Sequence, residues 1–173
     1  MKAILAGTAA LAVMTAAAFA QEESTNRVAV ETAWSVFVED DPQECWSVSS
    51  PTRTVNTQDG ETVSVRRGDI LLFVTFRPGS GVESEVSFTG GYPFADGSTV
   101  DLNIGGTEFD LFTEGEYAWP ASAEDDARIV EAMQRGSDAT LVARSSRGTR
   151  TEDTFSLMGF TAALDAARAR CTG

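Results

Sequence analysis

The sequence predicts a mainly β domain, an antiparallel β-sandwich or open barrel carrying two short helices, the C-terminal one tied by a disulfide. Three observations predict it. Most of the chain after residue 20 alternates apolar and polar residues with period two, as strands with one buried face do. Only Ser122 to Arg135 and Phe160 to Cys171 switch to helical spacing. Two cysteines, Cys45 and Cys171, stand near opposite ends of this region.

Thr32 to Val38 is rich in bulky β-formers, and Glu39-Asp40-Asp41-Pro42 separates it from Cys45-Trp46-Ser47-Val48, which reads as a hairpin. Thr62 to Arg66 alternates and predicts a strand, Arg67-Gly68-Asp69 a turn, and the apolar run Ile70 to Phe76 a central strand. Glu83 to Phe88 alternates again before a loop over Gly90 to Ser98. Val100 to Ile104 and Thr107 to Leu111 flank Gly105-Gly106, the two-residue turn whose positive φ costs glycine nothing. That hairpin points Val100, Leu102 and Ile104 to one side, with Phe109 and Leu111 facing inward from its second strand.

The first helix has a Ser122 cap, Asp125 three residues on, and Glu124 and Asp126 at its positive end. Ile129, Val130 and Met133 make its apolar stripe and Gly136 ends it. Strands follow over Ala139 to Arg144 and Thr149 to Leu157. In the last helix Phe160, Leu164, Ala167 and Cys171 share a face.

Met1-Lys2, the uncharged run Ala3 to Ala17 and the small-x-small Ala18-Phe19-Ala20 read as a cleavable secretory signal over residues 1–20. The apolar run falls short of the roughly 20 residues that span a bilayer, and no later run reaches that length. Residues 21–173 then form a single β-rich domain, released with no transmembrane segment. Lys2 is the one lysine, so this domain sets 12 arginines against 26 acidic residues, a net charge of −14. Such a charge repels nucleic acid and anionic lipid.

An even pair of cysteines in an oxidising compartment favours a Cys45–Cys171 bridge over two buried thiols. Closing so long a loop contributes up to about 5 kcal/mol in the simple chain picture.

The composition excludes much chemistry. Without histidine there is no Ser-His-Asp or Cys-His catalysis and no His-ligated metal. Without lysine after residue 20 there is no Schiff base. Bonded cysteines leave no thiolate. Asp101 to Gly105 begins like a calcium loop, but Phe112 stands where that loop needs its acid. No cofactor or metal is expected. Paired carboxylates remain as a catalytic option, a hydrolase; a solvated acidic surface is the simpler reading.

Candidate contact residues are few. Tyr92 and Phe94 lie in one loop and Trp119 in or beside another, where aromatics serve recognition or cover the end of a core. Arg144, Arg147 and Arg150 surround Ser145-Ser146-Arg147-Gly148, a positive hairpin tip able to meet a phosphate-bearing envelope component or simply solvent. Arg67-Gly68-Asp69 fits a tight turn better than an adhesion motif.

Taken in order, several segments resemble the invasion-associated locus B family of exported proteobacterial proteins. They are Trp34 before Cys45, Arg66-Arg67-Gly68, Thr75-Phe76-Arg77-Pro78, Gly90-Gly91-Tyr92-Pro93-Phe94, Phe109-Asp110-Leu111-Phe112 through Ala118-Trp119, and Asp153-Thr154-Phe155-Ser156-Leu157-Met158-Gly159-Phe160 with Cys171 beyond. The resemblance covers nearly all of the chain after residue 20. It implies a periplasmic or outer-membrane-associated protein and a name drawn from host-cell invasion, and it carries over no catalytic residues. The reading is a non-enzymatic exported protein, periplasmic or secreted, that binds an envelope protein or other envelope component. The alternatives are a secreted adhesin acting on host cells and a carboxylate-dependent hydrolase.

Overall fold

Twelve strands, two α-helices and one 3-10 turn at Pro78–Ser80 make up the computed structural model, which describes residues 26–172; the signal expected at residues 1–20 lies outside them. All the strands join one antiparallel sheet in the order β1-β2-β3-β6-β7-β10-β9-β8-β11-β12-β4-β5. In chain order β1 is Arg27–Glu31, β2 Trp34–Asp40, β3 Gln43–Ser49, β4 Arg53–Gln58, β5 Glu61–Thr62 and β6 Leu71–Arg77. Next come β7 Val82–Thr89, β8 Thr99–Ile104, β9 Thr107–Glu114, β10 Tyr117–Trp119, β11 Asp138–Arg144 and β12 Arg150–Ser156. Helix α1, Ala123–Arg135, precedes β11, and α2, Phe160–Cys171, closes the domain.

The sheet is open, with β1 and β5 as its edges, and rolls over its apolar side. Phe88 on β7 meets Phe155 on β12 edge-on at 6.1 Å, although four strands separate β7 from β12 in the sheet order. Period-two alternation drives the roll. Val36, Cys45, Leu72, Val74, Val86, Phe88, Leu102, Leu111, Leu141 and Phe155 are all inward-facing and fully buried.

Helix α2 packs on β1, β2, β3 and β6. Its Phe160 ring lies 4.8 Å from Trp34, whose Nε1–H donates to the Ser156 carbonyl at 3.0 Å. Cys171, in its last turn, is bonded to Cys45 on β3 across a Cα–Cα distance of 5.9 Å. Helix α1 packs on β7 and begins as predicted: the Ser122 Oγ accepts the Asp125 N–H and donates to its carboxylate. Gly105 and Gly106 both adopt positive φ in the β8–β9 turn.

Three differences from the sequence reading have clear causes. The predicted strand over Thr62 to Arg66 does not form beyond Thr62; residues 63–70 run as irregular chain because Arg67 turns inward to an ion pair. Arg67-Gly68-Asp69 is therefore not a tight turn, and the Gly68 N–H donates to the Gly91 carbonyl at 2.8 Å. The strands β1, β4 and β5 lie at the two ends of the sheet, where one-sided burial leaves a weak apolar pattern. Trp119, read as lying in or beside a loop, ends the short strand β10, directly before the turn into α1. Among the described residues no helix is long and apolar enough to cross a membrane.

Candidate functional site

The structure gathers the charged and small residues of four separated segments at one point. The Arg67 side chain is buried and forms a two-pronged pair with the fully buried Asp153 of β12, at 2.8 and 2.5 Å. Its Nε and Nη1 also donate to the Gly90 carbonyl and the Asn56 side chain. Its guanidinium also lies 5.0 Å from the centre of the Tyr92 ring, whose hydroxyl contacts the Thr151 Oγ. Burial pushes the Asp153 carboxyl up, and the Arg67 guanidinium opposes that push. Gly91 must be glycine here: its φ is +71°, and a Cβ would come within 2.6 Å of the Gly68 carbonyl. With all three guanidinium nitrogens of Arg67 bonded, this is a clamp that fixes residues 63–70 onto the sheet.

Beside the clamp lies a small cleft of about 250 Å³ lined by Arg66, Arg67, Tyr92, Glu116, Ser146 and Arg147, among others. It unites two of the predicted contact residues, Tyr92 and Arg147. The other four lie elsewhere. Phe94 is buried in the core. Arg144 bonds the Gly148 carbonyl within its own hairpin, and Arg150 pairs with Glu152 on its own strand. Trp119 belongs to a different surface altogether.

That surface is the outward side of the sheet from β2 to β9. Cross-strand register places its residues: Phe37 faces Trp46, Val48 faces Phe73, Phe73 faces Ser87, and Trp119 faces Phe112. Phe37 and Trp46 stack at 5.6 Å, Tyr117 and Trp119 at 5.8 Å, and Phe112 and Trp119 meet at 5.7 Å. Phe112 and Tyr117 are 48% and 47% exposed, unusual for rings of this size. An antiparallel sheet with one face to water normally shows it polar side chains. The other half of this same outer face does so, with Asp101, Asn103, Thr140, Glu152, Arg150 and Arg53 in register across β8, β11, β12 and β4.

Three grooves run together along the aromatic half. The first, of about 540 Å³, is lined by Phe37, Trp46, Val48, Leu71 and Phe73 and contains no charged residue. It shares Trp46 and Phe73 with a groove of about 350 Å³, where Arg77 bonds both Glu44 and Glu85. Burial works against the Arg77 charge, but Glu85 and Glu44 outweigh it and hold its pKa above the usual value. This groove shares Glu85 and Trp119 with the largest, of about 700 Å³, between β7, β9 and the start of α1. Glu83, Glu85, Glu114 and Asp126 line it, and among the described residues no basic side chain does. The Asp126 carboxylate accepts the Val86 N–H at 2.7 Å, anchoring α1 to the sheet. Burial pushes its pKa up to about 6, with repulsion from Glu85 and Asp125 adding to the rise against that hydrogen bond.

The segments joined by the clamp, the C-terminal helix and its bridge to β3 are those that carried the family resemblance. A family model described as "Invasion associated locus B (IalB) protein" matches residues 34–168. The chain belongs to this family. Among solved structures it is similar to the crystal structure of invasion associated protein b from Bartonella henselae, with a TM-score of 0.58 and 14% identity. That match covers 84% of this chain and 98% of the other, and at this identity it speaks for the fold. No curated protein matches the chain. As a member of the invasion-associated locus B family with a closed disulfide, the protein fits an extracytoplasmic location.

Sequence reasoning missed the aromatic face because it read Ile70 to Phe76 as one buried run. Strand parity carries the signal: Trp46 lies out of phase with Cys45, Phe73 with Leu72 and Val74, and Phe112 with Leu111. The same parity, placing Asp153 in phase with Phe155 and Leu157, marks it as a buried acid in need of a partner.

Proposed function

We propose that this protein is an exported, non-catalytic binding protein of the cell envelope that holds another envelope component, most simply a protein, against the aromatic half of its sheet. The observation that carries this reading is the pair of outward aromatic clusters, Phe37, Trp46 and Phe73 on one side of β7 and Phe112, Tyr117 and Trp119 on the other, joined by one groove across β7 and set beside a polar half of the same face. Partly exposed aromatic clusters of this kind mark interaction sites, and Trp and Tyr dominate the residues whose truncation costs an interface most.

Two observations weigh against the alternatives. A glycosidase-type hydrolase needs two carboxylates at a set separation across a cleft. In the acidic groove Glu85 is committed to Arg77 and Asp126 to the Val86 N–H, which leaves the exposed rim residues Glu83 and Glu114. Adhesion through Arg67-Gly68-Asp69 needs an accessible Arg67, yet its side chain is only 6% exposed.

The test is retention on washed native envelopes. The paired substitution Phe112→Ser with Tyr117→Ser changes two exposed rings and leaves the core intact. Retention falling more than tenfold with unchanged thermal unfolding supports the reading. Undiminished retention overturns it.

A further inference from the structure

The charge along the aromatic face is graded, and the gradient specifies an occupant. At the β2–β3–β6 end the groove has no charged lining residue. In the middle Arg77 is neutralised by Glu44 and Glu85. At the β7–β10–β9 end Glu83, Glu114 and Asp126 line the groove beside Trp119 and Phe112 with no ion-pair partner among the described residues, while the fourth carboxylate, Glu85, is bonded to Arg77. Glu83 and Glu114 on its rim are exposed, and among the described residues neither bonds a basic side chain.

We infer that the face takes an extended segment of a partner protein that is apolar at one end and bears arginine or lysine at the other. This rests on the envelope-binding reading and names its ligand class. The apolar end lies over Phe37, Trp46 and Phe73. The basic side chains enter the acidic groove, where a cation gains both the carboxylates and the Trp119 ring face. From β2 to β9 are five strand spacings of about 4.8 Å, so roughly seven extended residues span the face. A second copy of this chain is a poor occupant, since it brings 26 acidic residues against 12 arginines to a groove that is already negative.

A random twelve-residue peptide library displayed on phage, panned against the whole mature chain, tests this. The expected result is enrichment of peptides with arginine or lysine at one end and apolar residues at the other. A synthetic peptide of the enriched sequence should lose at least fivefold in affinity to Glu83→Gln with Glu114→Gln. It should also weaken several-fold between low and high salt. Enrichment of neutral or acidic peptides, no enrichment, or indifference to the two glutamine substitutions overturns the inference. Binding of peptidoglycan fragments that Tyr117→Ser abolishes and the glutamine substitutions leave unchanged also overturns it, while leaving envelope binding standing. Failure of the envelope-binding reading itself shows separately, as retention that Phe112→Ser with Tyr117→Ser does not reduce.

Discussion

Phe37 on β2 stands directly opposite Trp46 on β3, the two rings 5.6 Å apart and 7° from parallel on the outward side of the sheet. Stacked cross-strand pairs contribute about 0.5–1.5 kcal/mol beyond the area they bury. A double-mutant cycle of Phe37→Ala and Trp46→Ala, followed by urea unfolding, should return a coupling in that range. The pair thus pre-orders a flat aromatic surface at small cost in side-chain freedom, which suits a binding face.

The Arg67–Asp153 pair makes a sharper stability prediction. Its members are 6% and 0% exposed, so removing one strands the other's charge in the interior. Asp153→Ala should cost about 3–5 kcal/mol, whereas replacing both, Arg67→Met with Asp153→Leu, should cost less than Asp153→Ala alone. Denaturant midpoints of the three variants decide it. A double variant no better than the single one would mean that the hydrogen bonds from Arg67 to Gly90 and Asn56 matter more than the ion pair.

The bridge between Cys45 and Cys171 closes residues 126 apart in sequence and pins α2 to β3. Cys45→Ser with Cys171→Ser should lower stability by up to about 5 kcal/mol on the chain-entropy picture, less where the denatured chain is already compact. Guanidinium unfolding with and without reductant measures it. Both sulfurs belong to buried residues, so reduction should be slow until the domain opens.

Asp126 gives the pH prediction. Its folded pKa is raised to about 6, above the ordinary carboxylate value near 3.8. A raised folded pKa means that the native state prefers the protonated acid, so this group's contribution is complete below about pH 4 and is lost as pH rises through about 6. Asp126→Asn keeps an oxygen to accept the Val86 N–H and removes the charge. Its melting temperature should exceed that of the unsubstituted protein at pH 7.5, and the gap should close by pH 4.

Gly159 carries a backbone requirement. Its φ is +87° at the head of α2, and a Cβ there would fall 2.0 Å from the Glu31 carbonyl oxygen on β1. Gly159→Ala should therefore displace β1 or α2 and lower the melting temperature by several degrees. Heat unfolding of that variant beside Gly79→Ala, where a Cβ meets nothing within 4 Å, checks it.

Elements with strong local grammar were legible in the sequence. The Gly105-Gly106 hairpin, α1 between Ser122 and Gly136, α2 from Phe160 and the Cys45–Cys171 bridge all follow from turn, cap and composition rules. The polar strand β4, Arg-Thr-Val-Asn-Thr-Gln, was not, because it exists through pairing with β12, about a hundred residues away in sequence. Residues 63–66 alternate like a strand but are held off the sheet by Arg67, whose partner Asp153 is equally remote. The aromatic face was half legible. Trp119 was singled out, but joining it to Trp46 and Phe73 needs the order in which β3, β6, β7 and β10 lie side by side.

The most direct test of the central claim is site-specific photocrosslinking in the native cell. A photoreactive phenylalanine analogue goes in place of Tyr117, on the aromatic half, and in a second strain in place of Thr140, on the polar half of the same outer face. The account predicts a discrete crosslinked adduct from position 117 and none from position 140. An adduct from position 140 with none from 117, or no adduct from either, would contradict it.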